Sequence, residues 1–365
     1  MVDNACGPYA VIMAGGRGER FWPQSRLSHP KQLLRLLGNL TLIEQTVERV
    51  HGIFPYERIM IITTPDYVAP MRTVLTNVPP ENILSEPEGK DTAPCVAYAA
   101  AKIRAADTTD PVLCVFPSDH AINDRKTFAA EVTDCITRAA NHDEILTIGI
   151  RPGSPSTGFG YLHIGRQLPD AGKTVFRQCL DFKEKPDPEQ AQEYVDGGDH
   201  LWNSGIFIFR MSVVMKAFQT FAPDIYRFSV RLDDIFAGRS AESESDAYAG
   251  LKTISIDYSI MEKVRNITVA EGLFDWDDIG TWTSMRTQIQ PGEGNNVIHG
   301  LHVGLNTKNS IIVGGARHLI ATADVDDMII VHTEDATLVC NGKSAQKVRE
   351  LVRLIADRPD LQSFL

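Results

Sequence analysis

No window of the chain approaches 18 uninterrupted apolar residues, which excludes a transmembrane helix. The N-terminus, Met1-Val-Asp-Asn-Ala-Cys-Gly-Pro8, lacks both a basic stretch and an apolar run, so no secretory signal is expected and the expected compartment is the cytoplasm. No Cys-x-x-Cys pair occurs among Cys6, Cys95, Cys114, Cys135, Cys179 and Cys340. Their scatter suggests neither a zinc site nor a disulfide framework, and several are expected to be buried thiols. A basic excess is also missing: the net charge is −11, which argues against general nucleic-acid binding. No solenoid repeat or low-complexity segment stands out.

What is present is ordinary for a globular protein, with 43% apolar and 23% charged residues in a chain of 365. That length suggests about two domains. The charge is uneven. Between residues 15 and 35 stand Arg17, Arg20, Arg26, Lys31 and Arg35 against the single acid Glu19, a local +4 inside a chain of −11. Such an island suggests a local anionic ligand, with a solvated basic face as the plainer alternative.

Short β-branched runs at 9–14, 58–63, 111–116 and 145–150 predict buried strands. Helical patterns lie between them. Thr41 and Glu44 form a capping box ahead of Ile43, Val47, Val50 and Ile53 at helical spacing, and 92–105 and 126–140 also read as helices. This alternation predicts a Rossmann-like α/β sheet, mixed and mostly parallel. Further on, 160–164, 175–182 and 201–209 read as strands, 187–195 as a short helix, 212–237 as helical, and 239–250 as a polar surface turn. A linker composition at 290–296 suggests domains of 1–290 and 291–365. The second would hold short strands and a closing helix over 344–355, with Ala345, Val348, Leu351, Val352 and Ile355 on one face.

The first strand ends in Ala14-Gly-Gly-Arg-Gly-Glu-Arg-Phe-Trp-Pro23. Glycines at the C-terminal edge of a strand let backbone N–H groups approach phosphate oxygens. The loop is neither a dinucleotide fingerprint, since Phe21 stands where the third glycine belongs, nor a P-loop, since Gly-Lys-Ser/Thr is absent. A glycine turn of purely structural use is the alternative.

Taken with Pro30-Lys-Gln32, Glu86-Pro-Glu-Gly-Lys-Asp-Thr-Ala-Pro94, Phe116-Pro-Ser-Asp-His120, Gly158-Phe-Gly-Tyr161, Phe182-Lys-Glu-Lys-Pro186, Trp202-Asn-Ser-Gly205 and Trp276-Asp-Asp-Ile-Gly-Thr-Trp282, this loop resembles the sugar-nucleotide pyrophosphorylases. Among them the chain is most similar to the mannose-1-phosphate guanylyltransferases. The resemblance runs in matching order over residues 8–350. It implies a nucleotidyltransferase domain of the GT-A-like kind, followed by a small left-handed β-helix domain through which members often form homodimers. It also implies the transfer of GMP from GTP to mannose 1-phosphate, giving GDP-mannose and pyrophosphate, with Mg²⁺ and without nucleic-acid or membrane partners. Longer relatives carry a fused isomerase domain, which is not expected here.

The resemblance assigns roles residue by residue. Arg17 and Lys31 would neutralise the phosphates, and Asp119 and Asp278 would hold the metal. Lys185 would hold the sugar 1-phosphate. Ala14, Gly15, Gly16, Gly18, Gly89, Asp91, Thr92 and Ser118 would contact the nucleotide, and Gly160, Tyr161, Glu184 and Asn203 the sugar. Arg20 is expected to anchor the loop and His120 to be structural, because an ionised phosphate nucleophile needs no general base. Lys90-Asp91 departs from the Arg-Asn usual in guanylyl members. Asp91 either accepts from guanine N1–H and N2–H₂ or caps the helix starting at Thr92. A pyrophosphorylase for another nucleotide and hexose, or a non-catalytic regulatory homologue, remains an alternative; retention of Arg17, Lys31, Asp119, Lys185 and Asp278 favours an enzyme. Asp324-Val-Asp326 fits a glycosyltransferase metal string but falls in the expected β tail.

Overall fold

The computed structural model describes residues 7–169 and 172–365; Cys6 and the first residues lie outside that range. The chain folds as two compact units. One comprises residues 1–15, 47–118 and 122–276, the other 16–46, 119–121 and 277–365.

The first unit is built on a nine-stranded sheet. Its strands are β1 (Tyr9–Met13), β2 (Ile59–Thr63), β3 (Ile83–Ser85), β4 (Val112–Pro117), β5 (Ile145–Ile150), β6 (Tyr161–Gln167), β7 (Phe176–Lys183), β8 (His200–Arg210) and β9 (Ile267–Gly272), in the order β3-β2-β1-β4-β8-β5-β9-β7-β6 with β8 also pairing β6. The expected parallel arrangement holds for β3-β2-β1-β4 and for β5 with β9. Around β8, β6 and β7 the pairings are antiparallel. The sheet is therefore mixed, with less parallel character than expected, because β6 and β7 are joined without the helical crossover that a parallel pair requires.

The helices are α1 (Leu42–His51), α2 (Pro65–Val74), α3 (Thr92–Ala106), α4 (Arg125–Asn141), α5 (Pro188–Gly197), α6 (Met211–Phe221), α7 (Pro223–Phe236), α8 (Glu244–Tyr248), α9 (Met285–Gln288) and α10 (Val348–Ala356). The alanine-rich run forms α3, which packs against β1, β2 and α7 and buries Ala93, Ala97, Ala99, Ala100 and Ala101. A helix covered on both sides is apolar all round, and small side chains let its neighbours approach. Arg104 at its end reaches Asp233 and Ser229 of α7. The polar stretch 239–250 is not only a turn. Ser243 and Asp246 close a capping box and start α8, whose Ala247 and Tyr248 are buried. Alternating serine and glutamate masked this short helix.

In the second unit, β10 (Val297–His299), β12 (Ile311–Val313) and β14 (Met328–His332) form a parallel sheet, with β15 (Thr337–Asn341) antiparallel to β14. A second parallel pair, β11 (Leu301–Leu305) and β13 (Leu319–Ala323), completes a β-helix-like stack. Its corners carry Asn295, Asn306, Asn309, Asp324 and Asp327 at positive φ, the residues that tolerate that region best after glycine. Asn306 donates to Asp324 and Asn309 to Asp326, from one coil to the next. Asp324 and Asp326 are thus corner residues of the stack. The closing helix begins later than expected, after a 3₁₀ turn over Gly342–Lys347. Its Val348 is buried but Leu351 is 40% exposed. Cys95, Cys114, Cys135 and Cys179 are buried free thiols, and Cys340 is a half-buried one. Among the described residues no helix is long and apolar enough to cross a membrane.

The stack depends on Asn296. Its amide donates to the carbonyls of Glu293 and Thr307 at 2.8 Å and accepts from the Ser310 N–H at 2.9 Å. Asn296→Ala would leave the buried Thr307 carbonyl and Ser310 N–H without this partner, a loss of about 3 kcal/mol. Urea unfolding should show that loss; a change under about 0.5 kcal/mol would contradict the role given to Asn296.

Candidate functional site

Two sets of predicted site residues come together, one in each unit. In the second unit the loop after β1 turns back at Gly18, which has φ 68°. A Cβ there would sit 2.1 Å from the Cβ of Lys31, so only glycine lets Lys31 pass this close. The Ser25 hydroxyl donates to the Gly18 carbonyl at 2.8 Å and fixes the turn. Lys31 is buried to within 8% of its side-chain surface. Its ammonium donates to Asp119 Oδ2 at 2.7 Å and to the Asp278 carbonyl at 2.9 Å, and lies 5.6 Å from the Phe21 ring centre. Phe21 in turn packs at a tilt against the buried Trp282, ring centres 5.1 Å apart.

Asp277 and Asp278 differ sharply although adjacent. Asp277 accepts from the Ile279 N–H at 2.7 Å and from the Thr287 hydroxyl at 2.6 Å, and its backbone bridges to Ala121. It is a structural residue. The Asp278 carboxyl is raised to about 6 by burial, against the opposing pull of Lys31. At Asp119 burial also acts upward, but Lys31, His120 and hydrogen bonds outweigh it and hold the carboxyl below its ordinary range. Ile279, which follows Asp278, has φ 46°, an outlying conformation for a β-branched residue. Such strain persists only where the surroundings impose it, and it gathers at functional sites.

A cavity of about 430 Å³ is lined by these groups together with Arg17, Arg20 and Arg349. Arg20 reaches the Gly280 carbonyl at 3.4 Å, the anchoring contact expected of it, and Arg349 of α10 pairs with Glu19 at 3.1 Å. Arg17 is exposed. Nothing in the sequence signals Arg349, which only the fold of the C-terminal segment brings here. The cavity can neutralise a polyanion. Its two carboxylates fit a hard divalent cation, which takes oxygen ligands. Buried Asp278 resists ionisation unless positive charge is supplied beside it.

In the first unit, Ala14 and Ser118 stand just beyond the C-terminal ends of the parallel strands β1 and β4. Ala14 N–H bonds to Ile62 O and Ser118 N–H to Met13 O. Gly15 and Gly16 have no heavy atom within 4 Å of an added Cβ, so the fold alone does not demand glycine at either position. Asp91, with φ 70°, accepts from the Thr92 N–H at 2.7 Å, the capping contact anticipated as one of its two uses. Gly89 lies in the same loop, and Lys90 ties that loop down through the Leu251 carbonyl at 2.9 Å and Glu88 at 3.1 Å. Glu86, buried and raised to about 7 by that burial, accepts from the Tyr248 hydroxyl.

The predicted sugar-phosphate residues also converge in this unit. Asn203 N–H donates to the Gly160 carbonyl at 2.8 Å, and Asn203 Oδ1 accepts from the Thr147 hydroxyl at 2.8 Å. A Cβ on Gly160 would sit 2.5 Å from Glu184 Oε2. Glu184 pairs with the Lys185 ammonium. Burial pulls Lys185 down, but Glu184 and Asp257 outweigh it and hold the ammonium charged. Lys185 has φ 46°, a second strained residue. Tyr161 is fully buried and donates its hydroxyl to the Ser156 carbonyl at 3.0 Å. The sequence reading missed Asp257, whose Oδ1 accepts from Asn203 Nδ2 at 3.0 Å. A lone aspartate in Ser255-Ile-Asp-Tyr258 gives no spacing signal.

Burial, with Glu184 nearby, raises Asp257 from 3.8 to about 7. The folded state therefore favours its neutral form. The stability this confers is complete below the unfolded value and is lost as pH rises toward 7. Asp257→Asn keeps the Oδ1 acceptor and escapes that loss. Urea unfolding should show the variant gaining on the wild type between about pH 5 and about pH 8. An equal difference at both pH values would contradict the burial of an ionisable group here.

Comparison with known proteins divides the chain along its sequence, so that residues 16–46, 119–121 and 277–291 of the second unit fall within the first match. The nucleotidyl transferase family model matches residues 9–291, and the model of the mannoseP isomerase/GMP-like β-helix domain matches 300–355. Mannose-1-phosphate guanylyltransferase ManC of Salmonella typhimurium is 34% identical over 356 residues, which cover 95% of this chain and 73% of that protein. The xanthan biosynthesis protein XanB of Xanthomonas campestris pv. campestris is 35% identical over 94% of this chain and 72% of its own length. A crystal structure from Thermus thermophilus, described as a mannose-1-phosphate geranyltransferase, shares 32% identity at a TM-score of 0.85, over 96% of this chain and 99% of that one. With a family model spanning most of its described length and relatives a third identical along nearly all of it, the chain belongs to the nucleotidyl transferase family, on the branch of the mannose-1-phosphate guanylyltransferases.

Proposed function

We propose that the protein transfers GMP from GTP to mannose 1-phosphate. An ionised oxygen of the sugar phosphate attacks the α-phosphorus, the bond from that phosphorus to the β-phosphate bridging oxygen breaks, and pyrophosphate leaves with GDP-mannose as the other product. The observation that carries this reading is the Lys31 ammonium held between Asp119 and Asp278 in an arginine-lined cavity. Phosphoryl and nucleotidyl transfers depend on positioning and charge neutralisation rather than on a protein nucleophile. Likeness to proteins named for guanine and mannose supports the choice of substrates.

In this reading Arg17 and Lys31 neutralise the triphosphate, and the open backbone at Gly15 and Gly16 supplies N–H donors, with Gly18 making the turn that seats Lys31 and Ala14 lining the nucleotide by contact, its own N–H being committed to Ile62. Asp119 and Asp278 hold Mg²⁺, which when bound draws charge from the phosphate oxygens. Ser118, Gly89, Asp91 and Thr92 serve the nucleoside end. Lys185 binds the 1-phosphate, and Glu184 and Asn203 take sugar hydroxyls with the Gly160 backbone. Tyr161 contributes by packing, since its hydroxyl is committed. Asp257 holds the Asn203 amide in place. Residues 1–290 form the catalytic domain and 291–365 the β-helix domain. The chain works as a cytoplasmic homodimer through that second domain, where Leu301, Val303, Leu305 and Leu319 are half or more exposed on β11 and β13.

The direct test is pyrophosphate release across nucleoside triphosphates and hexose 1-phosphates. GTP with mannose 1-phosphate should be the best pair; a clear preference for another pair would replace the substrate assignment. Excess chelator should abolish turnover, and Asp119→Ala should lower kcat by orders of magnitude with the fold retained. Full activity in chelator would overturn the metal reading.

Lys185→Ala should act on the sugar side, at about ten- to hundredfold in KM or kcat/KM for mannose 1-phosphate, the loss of one charge-assisted contact. Lys31→Ala should weaken the GTP side instead. Separate titrations of the two substrates check this. A Lys185→Ala enzyme impaired toward GTP alone would contradict the two phosphate subsites.

A further inference from the structure

The proposed reaction leaves one group of metal-ligating side chains unused. His163 on β6 and His200 at the start of β8 are direct cross-strand partners, and His163 also faces Asp181 of β7. Residues directly opposite on paired strands share a face, so Asp181, His163 and His200 form one row. Asp199 joins it because Gly198, at φ 72°, ends α5 in a left-handed turn, and the Asp199 carbonyl accepts from the Ile164 N–H at 2.9 Å. The Asp199 carboxylate then lies against both imidazoles: Oδ2 is 3.2 Å from His163 Nε2, and Oδ1 is 2.7 Å from His200 Nδ1. One donor atom from each of the three lies within 4.8 Å of the others. They are the one such group of three among the described residues.

We propose that His163, Asp199 and His200 form a binding site for a borderline divalent cation of the zinc class, separate from the Asp119–Asp278 pair. Two imidazoles with one carboxylate suit zinc and its neighbours, whereas magnesium prefers all-oxygen sets. Ligand atoms about 3.3 Å apart are the edge of a tetrahedron with bonds of about 2.05 Å; the 3.2 Å Asp199–His163 separation matches it, and the 2.7 Å Asp199–His200 separation is a hydrogen bond that would lengthen as an ion entered. One donor ring is also supported from behind. Tyr194 of α5 stacks on His200 at 4.0 Å and holds that ring; the His163 and His200 rings are themselves stacked at 4.6 Å, so His163 would turn out of the stack to share one ion with His200.

The local field favours a cation. Asp181 acts on His200, and Asp181, Asp187 and Glu193 act on Tyr194. Arg151 is the opposing charge; it donates to the Gly198 carbonyl and is paired with Glu271. The site would clamp the start of β8 to β6, and through Tyr194 it would brace Tyr161, whose ring lies 5.2 Å from that of Tyr194. The proposal does not depend on the transfer activity.

The test uses the full chain, stripped with chelator, freed of it and held in excess MgCl₂. Calorimetric titration with ZnCl₂ should show one equivalent bound, and Co²⁺ should give visible absorption from a nitrogen-containing ligand set. His163→Gln, His200→Gln and Asp199→Asn should each weaken zinc binding by about tenfold or more, while Asp119→Asn should leave it unchanged. Binding should also weaken as pH falls through the histidine range. The unmutated chain gives a second readout: Co²⁺ should shift or broaden the imidazole proton signals of two of the ten histidines, and those two should vanish from the spectra of the His163→Gln and His200→Gln chains. No stoichiometric zinc binding, undiminished binding in the His163→Gln/His200→Gln double variant, or broadening of a different pair of histidines would each overturn the proposal.

Discussion

The buried ammonium of Lys31 is the constraint on which the second unit's chemistry depends. It reaches Asp119 and the Asp278 backbone only because Gly18 removes the Cβ that would occupy the Lys31 stem, and because the Phe21–Trp282 pair closes its flank. Its hydrogen bonds are taken up by one carboxylate and one carbonyl. The same cation keeps Asp119 ionised while Asp278, lacking an equal partner, is pushed up toward neutrality. Two carboxylates of opposite tendency, one lysine and a rim of arginines make a cavity suited to a polyanion together with a small cation.

The sugar-phosphate set is organised differently. Its polar groups are braced by one another, in a chain from Thr147 through Asn203 to Asp257, with Glu184 and Lys185 beside it. A bonded network of this kind holds side chains in one geometry. Strain marks both sets. Lys185 and Ile279 adopt left-handed backbone conformations that neither residue favours, each beside a proposed ligand-binding side chain. Asp91 before α3, at φ 70° and ψ −175°, is a third strained residue and lies in a proposed nucleotide-binding loop, whereas the Asn and Asp corners of the β-helix take a left-handed conformation that suits them.

Much of this was legible in the sequence because the informative residues lie in short contiguous strings. The glycine loop, the Lys31 step and the Asp119 and Asp278 motifs each sit at an element's end, and β-branched runs marked β1, β2, β4 and β5. Legibility failed where the determinant is long-range. Asp257 and Arg349 reach their sites only through the fold. The antiparallel pairings of β6, β7 and β8 depend on connection geometry rather than on composition. The β-helix rhythm was hidden because its coils are set by single Asn and Asp corners, not by a regular hexapeptide. The His163–Asp199–His200 group was invisible for the same reason: its members face each other across two strands 37 positions apart in sequence.

Lys31 and Asp119, joined by their 2.7 Å contact, are proposed to act as one unit in transition-state charge neutralisation. A double-mutant cycle on kcat/KM, with Lys31→Met, Asp119→Asn and the double variant, tests it most directly. Strong non-additivity is expected, with the double variant scarcely worse than the poorer single one. Costs that add within about 0.5 kcal/mol would contradict it, because independent sites add to that precision and coupled ones do not.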